Sequence, residues 1–140
     1  MLIDARARVA LMAVTLGGGL LIANGPAKTS LHIFTAIEPG QWELREQGAT
    51  GAPRLMCVGD PDALVQIQHS QQQCARFIVD DQPMTAIVTY DCKGAGRGRT
   101  VIRVESPRLI HVDTQGLASG APFDMSFEGR RTGSCTAAAR

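Results

Sequence analysis

The sequence predicts an all-β domain: an antiparallel meander of about seven or eight strands, curled into a barrel or half-barrel, with one short helix near residues 61–70. Three observations predict it. Apolar and polar residues alternate in segment after segment, most cleanly in PFDMSFEG, where Phe123, Met125 and Phe127 oppose Asp124, Ser126 and Glu128, the two-residue period of a half-buried strand. Turn-forming residues separate these segments at Asp80-Asp81-Gln82-Pro83, at Lys93 to Arg99 and at Ser106-Pro107. Helix start signals stand out in GDPDALVQIQHSQQQ, where Asp60 suits a cap, Pro61 the first turn, and Leu64 with Ile67 makes a small apolar stripe for packing against the sheet.

Along the chain, residues 1–27 read as a signal peptide or N-terminal anchor. Arg6 and Arg8 precede VALMAVTLGGGLLIA, an uncharged run that is short for a bilayer span and broken by Gly17, Gly18 and Gly19. Cleavage after Ala23, Gly25 or Ala27, or later near Ala36, all remain open. Residues 28–36 follow as a linker, 37–135 as a single β domain and 136–140 as a tail. The first strand opens at Gly40-Gln41-Trp42. The segment Cys74 to Cys92 reads as two strands folded about Pro83, which sets Ile78 against Val88, Arg76 against Tyr90 and Cys74 against Cys92. In Arg99 to Ser106, Ile102 and Val104 share one face, with Arg99, Arg103 and Glu105 on the other. RLIHVDTQ and PFDMSFEG supply the last strands.

Export decides how the four cysteines are read. An even count in a small exported chain points to a disulfide framework, and no C-x-x-C offers redox exchange or zinc. The hairpin register favours Cys74 to Cys92, leaving Cys57 to Cys135; a one-residue slip in the turn would place the first pair on opposite faces. Charge excludes other classes. Beyond residue 27, twelve Lys and Arg balance twelve Asp and Glu, and the arginines are scattered rather than striped, so nucleic-acid binding is not expected. KGAGRGR resembles a phosphate loop only superficially, because a strand rather than a helix follows it; its glycines suit a hairpin, and Lys93, Arg97 and Arg99 offer at most an anion-attracting rim. His111 and Asp113 share a strand face in the manner of a base and its orienter, but without an identifiable nucleophile they read as a solvated polar face.

EPGQWELRE, LMCVGDP, the cysteine before RFIVDD, TYDC and FEGRRTGSC together resemble the exported bacterial domain-of-unknown-function family 3617 over about residues 37–135. The resemblance implies a secreted or periplasmic domain and names no substrate. Gly40-Gln41-Trp42 also resembles the G-x-W of lipocalin-like barrels, in which a Trp plugs one end beneath a late-strand Arg. Counting in twos from Phe123 reaches Arg131, so the expected plug is Arg131 across Trp42, with Arg130 facing solvent.

Two functional readings follow. The first is a non-enzymatic periplasmic or secreted module, without cofactor or metal and without a membrane span after processing, that binds a small apolar ligand against the curved sheet. Its ligand face would comprise Val88, Tyr90, Ile102, Val104, Phe123, Met125 and Phe127, since few aromatics are available to fill the interior. The alternative is a structural or interaction protein of the cell envelope with a filled core.

Overall fold

The computed structural model describes residues 30–135. The segment expected to direct export and the tail at 136–140 lie outside the described residues. Seven antiparallel strands form one sheet: β1 (Gly40–Glu46), β2 (Arg54–Val58), β3 (Ala75–Gln82), β4 (Thr85–Cys92), β5 (Gly96–Ser106), β6 (Leu109–Ala118) and β7 (Ala121–Gly133). Their order is β2-β1-β7-β6-β5-β4-β3. The last five strands are thus a plain meander of hairpins, and the chain's first strand returns to pair with its last. The sheet does not close, because β2 and β3 stand at opposite edges.

Each hairpin follows from its turn residues. Ser119 (φ 50°) and Gly120 (φ 83°) both take positive φ between the paired residues Ala118 and Ala121, which matches the twist of the flanking strands. Gly94 (φ 80°) turns the chain between Cys92 and Gly96, so KGAGRGR is a hairpin. The β3–β4 hairpin is less simple. Gln82 pairs with Thr85 across Pro83 and Met84, which would put Cys74 out of phase with Cys92. A bulge between Ile78 and Asp80 then absorbs one residue and restores Ile78 opposite Val88 and Arg76 opposite Tyr90. The slip and its correction both occur on one strand.

One face of the sheet is dry. Trp42, Leu44, Val88, Tyr90, Ile102, Val104, Ile110, Val112 and Phe127 are buried, in cross-strand rows such as Ala86–Ile102–Val112–Phe127. Two segments cover this face. The 59–73 connection runs from the β2 edge to the β3 edge and buries Leu64, Val65 and Ile67. In place of one short helix it forms two 3-10 turns, Pro61–Leu64 and Ile67–His69. Asp60 caps the first, its carboxylate accepting from Asp62 N–H at 3.0 Å, and the apolar stripe is too short to hold a longer helix. The second cover corrects the linker reading of residues 28–36. Leu31, Ile33, Phe34 and Ile37 are buried in the core around a 3-10 helix at His32–Ala36, because Leu31, Phe34 and Ile37, three residues apart, fall on one side of the 3-10 turn and meet the open side of the sheet. Asp81 anchors this strap by accepting from the His32 backbone N–H at 2.9 Å, and Glu38 N–H reaches Pro107 O at 3.0 Å.

Two disulfides staple the sheet. Cys74–Cys92 ties the start of β3 to the end of β4, and Cys57–Cys135 ties β2 to the end of β7 across β1, with Cα–Cα separations of 4.1 and 5.5 Å. By chain entropy each contributes about 3–5 kcal/mol.

Candidate functional site

The mouth of the first strand answers the plug expectation. Trp42 is fully buried and pairs in register with Arg131. Arg131 does face inward, its side chain 17% exposed against 63% for Arg130. It does not, however, lie across the indole. Its Nε donates to Pro39 O at 2.8 Å and stands 3.6 Å from the Glu38 carboxylate, while Trp42 Nε1 donates to Glu38 O at 3.1 Å. Both side chains therefore clamp the same lead-in, Glu38–Gly40. A guanidinium finds stronger partners in a carbonyl and a carboxylate than in a ring face. Gly40 is required beneath it: φ is 146°, and a Cβ there would come within 2.7 Å of Arg131 Nε. Among the described residues the cation–π contact is instead Arg54 over Phe127, 5.6 Å from the ring centroid.

Five of the seven residues expected to form a ligand face are core, and one of these, Val88, also borders the groove described below. Val88, Tyr90, Ile102, Val104 and Phe127 are buried beneath the strap and the 59–73 connection, and Phe123 and Met125 are half-buried. The interior is filled by the protein's own side chains, and the covering segments that fill it carry few of the alternation signals that mark strands. A row of glycines makes part of this packing work. Tyr90 is paired with Gly98, Gly98 with Gly116, and Gly116 with Phe123. The Tyr90 ring lies over Gly98, and His69 stands beside it against Gly96, its ring centroid 5.4 Å from Tyr90 and 5.9 Å from Phe123. His69 Nδ1 lies 3.1 Å from Tyr90 Oη. Burial raises the Tyr90 phenol above its ordinary value, with a hydrogen bond to Thr114 opposing in part. Gly98, read from the sequence as a hairpin-loop residue, instead makes room for the Tyr90 ring.

The other sequence candidates separate. His111 Nε2 is 3.0 Å from Glu105, and Asp113 binds Arg103 at 2.6 Å, so the two are engaged independently on the wet face. Partial burial raises the Asp113 carboxyl, but hydrogen bonds from Ser126 and Arg103 and the nearby charges of Arg103 and His111 outweigh it and hold the group below the usual range. Lys93, Arg97 and Arg99 are exposed along the β4–β5 hairpin. Among the described residues no three His, Cys, Asp or Glu side chains gather as metal ligands, and no helix is long and apolar enough to cross a membrane.

What remains open lies at β3. An open groove of about 900 Å³ runs between this strand and the 59–73 connection, walled by Leu31, Val65, Phe77, Ile78 and Val88 on its apolar side. Its polar side is internally satisfied. Arg76 binds Asp62 at 2.9 Å and donates to Gln66 Oε1 from Nε and Nη2, while Gln66 Nε2 donates to the carbonyls of His69 and Gln72. β3 itself is an eight-residue edge whose first five residues are all exposed. Phe77 is 63% exposed, Ile78 43%, Val79 59%, and Met84 in the following turn 46%. Among the described residues, four of the five large exposed apolar side chains thus gather on one edge, the fifth being Leu55 on β2. The segment Cys74 to Cys92 signals a hairpin; which strand becomes an edge is set by sheet order, and nothing local to the segment signals it.

No curated protein and no solved structure matches the chain. A family model covers the whole of the sheet, its staples and the β3 edge, matching residues 37–135: the chain belongs to the family described as Protein of unknown function (DUF3617).

Proposed function

We propose that this domain is an exported, non-enzymatic binding module that works through the β3 edge and its adjoining groove rather than through the concave face of the sheet. The observation that carries the reading is the contrast between the two surfaces. Most of the sheet's inner face is buried beneath its covering segments, whereas β3 leaves Phe77, Ile78 and Val79 to solvent along a strand that has no paired neighbour on its outer side among the described residues. Natural edge strands are ordinarily blunted by charge, proline, brevity or a bulge; β3 has charges at its ends and a bulge at Val79 but keeps an apolar stretch at Phe77 to Val79, and strand addition to such an edge is a recurring mode of recognition. In the groove, Asp62 and Arg76 neutralise each other, which suits recognition by shape and apolar contact. Two disulfides fit an oxidising compartment, periplasmic or extracellular.

A second reading, a small apolar ligand, now rests on the groove alone, whose volume falls within the usual range for ligand sites. One experiment separates them. A photo-crosslinking amino acid at position 77, activated in intact envelopes, is expected to give an adduct of polypeptide mass, and the same group at the exposed Gln115 is not. A saturable fluorescent fatty-acid signal with adducts of lipid mass would favour the ligand, and no adduct above the Gln115 control would defeat both.

A further inference from the structure

Resting on that reading, we infer that the occupant of the β3 edge is the β3 edge of a second copy of this chain, paired antiparallel about a two-fold axis. The strand reads Arg76-Phe77-Ile78-Val79-Asp80-Asp81, basic at one end, apolar in the middle and acidic at the other. Antiparallel self-pairing sets Arg76, which is already paired with Asp62 of its own copy, beside Asp81 of the other copy, whereas parallel pairing would set Asp80 and Asp81 of the two copies against each other. A two-fold interface uses the same patch on both subunits and closes without further growth, so a charge pattern complementary to its own reversal favours a second copy over an unrelated strand.

The bulge fixes where the axis falls. Ile78 pairs with Val88 and Asp80 with Ile87, so Val79 is the extra residue. An axis between Ile78 and Val79 sets each of these residues against the other's counterpart and gives both copies the same bend at the same point. Stepping outward, Arg76, opposite the buried Tyr90, meets Asp81, opposite the buried Ala86. Phe77, opposite Thr89 on the wet face, meets Asp80, opposite Ile87 on that same face. The faces agree at every step, and Phe77 and Met84 add apolar cover on either side. An eight-residue strand with these side chains places the interface near the low end of stable contacts, at about 1,200 Å² in total, the range of reversible association.

The test is sedimentation equilibrium of the oxidised protein across the micromolar to millimolar range. A reversible dimer is expected, and Val79→Lys and Phe77→Lys, at positions outside the core, are each expected to weaken it at least tenfold while circular dichroism stays unchanged. Leu55→Lys on the opposite edge should leave the dimer intact. Hydrogen exchange should show the β3 amides gaining protection as concentration rises. A chain that stays monomeric throughout, a dimer indifferent to both lysines, or a dimer without added β3 protection would each overturn self-pairing. A monomer whose position-77 crosslinker still captures a different polypeptide would overturn it while leaving the binding role in place.

Discussion

Tyr90 shows how much of this protein's stability resides in single packed side chains. It is the one tyrosine in the chain, its ring lies over Gly98, and a Cβ at Gly98 would overlap its phenol. Burial raises its ionisation above the ordinary value of 10.0, so the folded state resists losing that proton. The sign follows directly. Both states hold the phenol neutral below pH 10, and the contribution is lost as pH rises from there toward the folded value, because only the unfolded chain ionises readily. Alkaline titration followed by tyrosinate absorbance should therefore show a single transition displaced upward in the native protein and returned to the ordinary range by denaturant. A native transition at the ordinary value would contradict the buried placement. Only part of this was legible beforehand: the strand alternation put Tyr90 on the inner face, but the glycine that accommodates it, Gly98, is contributed by the neighbouring strand β5.

At the scale of elements, the sequence was informative wherever the signal is local. Alternation located β1 and β4 to β7, and turn chemistry located the hairpins. The cysteine pairing was reached by a count that treated Pro83 as a midpoint, and the true centre lies half a residue further on. The pairing survives only because the bulge at Val79 subtracts the same residue again, and a bulge has no dependable local signature. The clamp at the start of β1 was half legible for a similar reason. Parity gives the direction of Arg131, but its partners, Pro39 and Glu38, depend on how the chain enters the strand. Arg131→Ala should cost about 1–3 kcal/mol by leaving the Pro39 carbonyl and the Glu38 lead-in unheld, and Arg130→Ala, on the wet face, within about 0.5 kcal/mol. Denaturation midpoints of the two variants check this, and equal losses would remove the distinction between their faces.

At the scale of the molecule, an open sheet has been made to hold a core by covering it with segments outside its own strands. The strap at residues 31–37 carries four buried apolar side chains and is tied down at Asp81. Asp81→Ala should loosen it and lower stability by about 1–2 kcal/mol, since a carboxylate accepting a backbone N–H is a charge-assisted bond; hydrogen exchange at Ile33 should rise more than at Ile102. The strap escaped the sequence reading because an apolar stretch beside an expected export segment looks like part of that segment, whereas the packing role of Leu64 and Ile67 was legible. Sheet order also governs the time course of assembly. Strands β3 to β7 pair with their sequence neighbours, whereas β1 must find β7 after roughly ninety residues have been laid down, and search time grows with the separation of the partners. The two disulfides report on these two events, one spanning 18 residues within a hairpin and the other 78 residues across the β1–β7 seam. During oxidative refolding, acid-quenched samples should accumulate a species with Cys74–Cys92 formed and Cys57 and Cys135 free; the reverse order would show that the seam closes first. A chain arrested in that half-oxidised form would have a completed meander and an unsealed β7 edge, and it is there, rather than in the finished protein, that an oxidant or isomerase would have to act.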